Sequence, residues 1–148
     1  MAINKTVQAV FDKAMYLIDA QNENTGATKT SDTKEYEVRT LGILNNLLDE
    51  VFPASDNYAV GADGRRPAHR DLVDFTDEID MDAMVVRNVL PLGLAAKLLL
   101  EENAAVADYF QQRFEEELVA AMRSRPSAVE SVENAYGGIE CGEFAYWT

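Results

Sequence analysis

Apolar residues recur at three- and four-residue spacing over most of the chain, which is the signature of helices with one buried face. Val7, Val10, Phe11, Ala14, Leu17 and Ile18 predict a first helix from about Asn4 to Ala20, with Tyr16 turned off the stripe. The segment Gln21 to Thr30 has no periodicity and reads as a mobile loop. A second helix is predicted from about Thr33 to Phe52, burying Tyr36, Leu41, Leu44, Leu47, Leu48 and Val51. Asp32 is its expected N-cap, with Glu35 three residues on in a capping-box pattern, and Pro53 ends it. A long irregular stretch from Pro53 to Arg70 follows, punctuated by Gly61, Gly64 and Pro67. The third helix is predicted to start near Asp80 or Asp82 and to reach about Glu101. It is apolar around most of its circumference, with a narrow polar stripe at Arg87 and Asn88, and Pro91 predicts a kink or short break. Asn103 caps a fourth helix from about Ala104 to Arg123, whose buried face holds Val106, Ala107, Phe110, Phe114, Leu118, Ala121 and Met122.

These spacings give an all-α fold: a compact bundle of about four helices in residues 1–125, with a long loop between the second and third. Residues 126–148 read as an extended tail. Gly137, Gly138 and Gly142 oppose a stable helix there, yet Tyr136, Ile139, Phe144, Tyr146 and Trp147 are large apolar groups that gain by docking on another surface.

With 148 residues the chain can bury roughly 68–70% of its unfolded surface, so one core suffices without metal or disulfide. Its 26 acidic and 13 basic side chains leave a net charge of −13. That balance opposes wrapping nucleic acid or docking on anionic lipid, both of which need clustered cations. Cys141 is the single cysteine, so no intrachain disulfide forms and a reducing compartment is expected. The first residues lack the apolar core of a signal peptide. The most apolar stretch, Met81 to Leu100, carries Asp82, Arg87, Asn88 and Lys97 and reads as a buried helix, with no membrane span.

Few residues are available for catalysis. His69 is the single histidine, in a loop beside Arg65, Arg66 and Arg70 with no nucleophile motif near it. Cys141 lies between Glu140 and Glu143, whose charge disfavours a thiolate. The acidic run Asp71, Asp74, Asp77, Glu78, Asp80 and Asp82 lacks the glycine of a calcium loop, and a cap and solvated face is the better reading. Gly61 to Arg66 lacks the spacing of a phosphate loop. Glu117, on the apolar face of the fourth helix, has Arg113 one turn earlier as an ion-pair partner. The expectation is no catalytic residue, no cofactor and no metal. Arg65, Arg66 and Arg70 are expected to meet carboxylates of a neighbouring subunit.

Three segments carry a family resemblance: Phe75 to Asn103 (FTDEIDMDAMVVRNVLPLGLAAKLLLEEN), Ala107 to Glu117 (ADYFQQRFEEE) and Glu133 to Glu140 (ENAYGGIE). They resemble the head–tail connector (head completion or adaptor) proteins of tailed bacteriophages, in particular small prophage-encoded ones of Gram-positive bacteria. The resemblance runs from about Phe75 to Phe144. Over the first two helices it rests on helix number, order and the run Leu41-Gly42-Ile43-Leu44-Asn45. It implies a mostly helical structural protein of the virion neck, present in the host cytoplasm during assembly. Such a protein forms a homo-oligomeric ring under the portal protein and offers a docking surface to a tail-side connector or stopper. DNA passes through the channel without specific recognition. On that reading Arg65, Arg66, Arg70, Tyr136, Ile139, Phe144 and Trp147 are the interface candidates. The competing readings are a helical adaptor or regulatory protein that binds a partner through its tail, and a small metal-dependent enzyme.

Overall fold

Thr6 opens the first helix: its hydroxyl accepts a hydrogen bond from the Ala9 amide at 3.2 Å, and helix α1 runs Val7–Leu17. In this computed structural model the described residues are 3–55, 64 and 69–124. α1 is shorter than its hydrophobic stripe predicts because both ends are capped inside it. Asp19 adopts a left-handed conformation at φ 57°, while the Ala20 amide donates to the Met15 carbonyl and the Asp19 amide to Tyr16. That is the paired bonding of a Schellman motif. The buried face holds Val7, Val10, Phe11, Ala14 and Met15, whereas Leu17, expected inside, lies at its edge and is exposed.

The segment after α1, read as a mobile loop, is a hydrogen-bonded turn. The Asn22 amide donates to Ala27 and the Gly26 amide to Asn22, both at 2.8 Å, and the Asn22 side chain accepts from Asn24 and Thr25. Thr28 donates to Asp12 of α1 at 2.6 Å. Helix α2 spans Lys34–Val51, and its N-cap is Thr33, not Asp32. The Thr33 hydroxyl is buried, accepts from the Thr30 amide and donates to the Thr28 carbonyl, which fixes the entry to the helix, while Asp32 is exposed. α2 passes into a 3₁₀ turn at Phe52–Ala54, where Pro53 stops the α-helical ladder.

The third helical segment begins at residue 83, later than the acidic residues Asp80 and Asp82 suggest, and ends as helix α3, Leu90–Leu98. The break expected at Pro91 takes the form of a π-helical turn over Val85–Val89. The Leu90 amide reaches back five residues to the Val85 carbonyl. This wider turn keeps the Pro91 ring clear of the Arg87 carbonyl, which has lost its donor. That carbonyl accepts instead from the Lys13 amine of α1. Arg39 of α2 donates to the Leu98 carbonyl at the other end of α3. Helix α4 spans Ala104–Ser124, and Asn103 caps it as expected, its side chain accepting from the Val106 amide.

The architecture is all-α. The described residues contain no named strand, only a lone bridge between Thr6 and Glu78. α3 is central: it packs against α1, α2 and α4, and Val85, Val86, Val89, Leu90, Leu94 and Leu98 of the kinked segment are all buried. The core cluster draws its members from Val7 to Ala121. On α4 the buried side chains are Ala107, Phe110, Phe114 and Ala121; Val106 and Met122, expected with them, are exposed. The described part of the chain between the 3₁₀ turn and the π turn is anchored to α1 and α2. Asn45 donates to the Leu72 carbonyl and accepts from its amide. The Phe75 and Asp77 carbonyls accept from the Gln8 and Val7 amides, two of the orphan donors of α1. No helix among the described residues is long and apolar enough to cross a membrane.

α4 folds back along α3 so closely that Phe114 lies over Gly93. A Cβ at position 93 would stand 2.8 Å from the Phe114 ring and 3.1 Å from Leu47, both buried. Gly93→Val is therefore expected to lower stability by about 1–3 kcal/mol through overpacking. Adding Phe114→Leu to that variant should recover part of the loss. Urea unfolding followed by circular dichroism measures both, and additive losses would show that the two sites do not press on each other.

Candidate functional site

Two adjoining depressions on the surface share Lys13 and Pro91. The first, about 410 Å³, lies between α1 and the π turn and is lined by Ile3, Val10, Val86 and Arg87. The second, about 330 Å³, lies where α1, α3 and α4 meet and is lined by Leu17, Asn88, Leu92, Arg113 and Glu117. Each lining residue has its place for a local reason. Pro91 is buried in the first turn of α3, where the two depressions meet. The π turn ahead of it leaves Arg87 and Asn88 exposed. Leu17 is the last residue of α1, just before the Schellman reversal, and is 38% exposed; Ile3 is 48% exposed. Lys13 is held by the Arg87 carbonyl, and Arg113 by Glu116 at 2.9 Å and Glu117 at 3.3 Å, the latter the pair expected from sequence.

The result is a groove with an apolar floor and a basic rim. Lys13, Arg87 and Arg113 face it, and Glu117 is its one acidic lining residue. Among the described residues no carboxylate pairs with Lys13 or Arg87. In a chain of net charge −13 this is a local reversal of sign. Sequence reading placed Arg87 in a polar stripe and paired Arg113 with Glu117. It had no way to join them with Lys13, because the three lie on three different elements.

The sequence candidates fare unevenly. Arg70 is exposed and stands 3.9 Å from Asp77 of its own chain. Arg65, Arg66, Tyr136, Ile139, Phe144, Trp147 and Cys141 lie outside the described residues. His69 clasps α2: its Nε2 is 2.7 Å from Asp49 and its Nδ1 is 3.3 Å from the Arg70 carbonyl, with the ring edge on Phe52. Both ring nitrogens thus face oxygens of the chain itself. A further depression of about 320 Å³ beside His69 mixes Lys5 and Arg70 with Glu78 and Asp80, so it presents no single sign of charge.

Two members of the acidic run, Asp74 and Asp77, are spent on backbone turns. Asp77 accepts from the Val73 and Asp74 amides at 2.8 and 3.0 Å, and Asp74 accepts from Thr76. Among the described residues no three His, Cys, Asp or Glu side chains converge where a metal ion could sit. Comparison with protein-family models, with curated proteins and with solved structures finds no match for this chain.

The amides of Val73 and Asp74 hold the Asp77 carboxyl below the usual carboxylate range, with Arg70 adding a smaller push in the same direction. A lowered value means that the ionised form stabilises the turn. That stabilisation is present above the ordinary carboxylate pKa and is lost as pH falls through the lowered one. In an NMR titration the Val73 and Asp74 amide signals should move together, with a midpoint below the ordinary aspartate value of about 3.9. A midpoint at that value would mean the turn does not depend on the charge.

Proposed function

We propose that this chain is a structural virion protein, a subunit of the head–tail connector of a bacteriophage or prophage. In this reading it assembles as a ring under the portal protein, links the capsid to a tail-side connector or stopper, and performs no catalytic step. Its place is the virion neck, reached from the host cytoplasm during assembly.

The observation that carries the reading is the basic, apolar groove on an acidic all-α bundle. Copies of a chain with net charge −13 repel one another, so ring closure needs a local attraction that beats the long-range field. A ring is built from heterologous contacts, in which one surface of each subunit meets a different surface of the next. The groove supplies one such surface, and the acidic remainder of the chain supplies its complement. The resemblance over Phe75 to Asn103 covers the helix whose π turn shapes the groove. An acidic channel wall also suits DNA that slides past without adhering, since phosphate contacts need clustered cations.

The test is the composition of the particle. In phage particles purified from the strain that encodes the chain, mass spectrometry should find it in multiple copies, and immunogold labelling should place it at the neck. Absence from purified particles, with the chain present in the producing cells, would overturn the assignment.

A further inference from the structure

We infer that the groove between α1, α3 and α4 is the receptor for the C-terminal segment 126–148 of a neighbouring copy of the chain. The choice of a neighbouring copy rests on the ring proposed above; the choice of segment rests on chemistry. The groove presents Lys13, Arg87 and Arg113 around Leu17, Pro91 and Leu92. Its occupant must be acidic and apolar at once. From Pro126 to Thr148 the chain carries Glu130, Glu133, Glu140 and Glu143 and no Lys or Arg. It also carries the large apolar side chains Tyr136, Ile139, Phe144 and Trp147. Charge and hydrophobicity match in both directions.

The lengths agree as well. α4 ends at Ser124, seven residues beyond Glu117 on the groove wall, or about 10 Å along the helix. The 24 residues that follow can span about 80 Å when extended, enough to cross to an adjacent subunit. Arg87 is the sharpest recognition element, because no carboxylate of the described residues pairs with it. Arg113 already shares Glu116 and Glu117, and the Lys13 amine is held by a carbonyl. Aromatic side chains of the segment suit the groove floor, where exposed apolar atoms of Leu17 and Ile3 would leave water.

Cys141, the single cysteine, allows a direct test on the full chain. Heavy- and light-isotope preparations, each carrying a benzophenone maleimide on Cys141, are mixed at high concentration and illuminated. Cross-links from one isotope to the other should map to peptides containing Lys13, Arg87 to Leu92, or Arg113. Arg87→Glu should lower their yield about three- to tenfold, whereas Lys34→Glu, the same charge change on an exposed side chain of α2, should leave it nearly unchanged. Cross-links confined to one chain, mapped elsewhere or absent, or an equal loss with Lys34→Glu, would overturn the inference. Groove cross-links from a chain that purified particles lack would leave the docking intact and overturn only the assignment to the neck.

Discussion

A proline inside the central helix is the constraint on which the rest of this structure depends. The segment from Val85 to Leu98 is apolar enough to demand burial on several sides, yet Pro91 cannot donate a hydrogen bond, and its ring collides with the carbonyl one turn back in a regular helix. The π turn at Val85–Val89 relieves the collision, and Pro91 has no N–H to give the Arg87 carbonyl. That carbonyl lies at the surface and accepts from the Lys13 amine of α1. The same turn leaves the exposed Lys13 and Arg87 lining one depression over the buried Pro91. A backbone defect and a basic groove thus have one cause.

The remaining packing keeps that helix enclosed. α4 approaches α3 at Gly93, where the absence of a side chain admits the Phe114 ring. α2 is fixed to both ends of the assembly. Arg39 meets the last turn of α3, and Tyr36 donates to Glu102 in the turn before α4. Burial, followed by the hydrogen bond to Glu102 and its charge, pushes the Tyr36 phenol up to about 12. The neutral donor is therefore the form present in the folded chain, and the contact persists to strongly alkaline pH. At the opposite end the Asn45 clasp and the Asp77 turn hold the segment after residue 69 against α1 and α2.

Much of the fold can be read from periodicity alone, because helices with one buried stripe announce themselves. Helix number and order, the Asn103 cap, the disturbance at Pro91 and the Arg113–Glu117 pair follow from spacing. What does not follow depends on tertiary contacts. Thr33 replaces Asp32 as the cap because its hydroxyl is buried against the Thr28 carbonyl, a contact made by a loop that shows no pattern. Met15 is buried and Leu17 exposed because the bundle chose a sector of α1 that the residue stripe only brackets. Periodicity says that a break occurs at Pro91 but not that it widens into a π turn, since a proline can be accommodated by several kinds of break. The groove is illegible because its three cations are 74 and 26 residues apart in sequence, counting from Lys13 to Arg87 and from Arg87 to Arg113.

Net charge alone would describe this chain as one that avoids its own copies. A uniform −13 surface gives repulsion at every approach, and salt only shortens its range to about 8 Å at physiological ionic strength. Gathering Lys13, Arg87 and Arg113 around one depression changes the problem from magnitude to orientation. Approaches that bring acidic faces together stay unfavourable, whereas the proposed docking of an acidic segment in the groove would gain both charge pairing and apolar burial. Such an arrangement suppresses random association and leaves a directional one, which is what separates a closed ring from an aggregate. The helix that carries Pro91 is then more than the centre of the core. By departing from a regular helix it shapes the basic groove that the proposed ring would use.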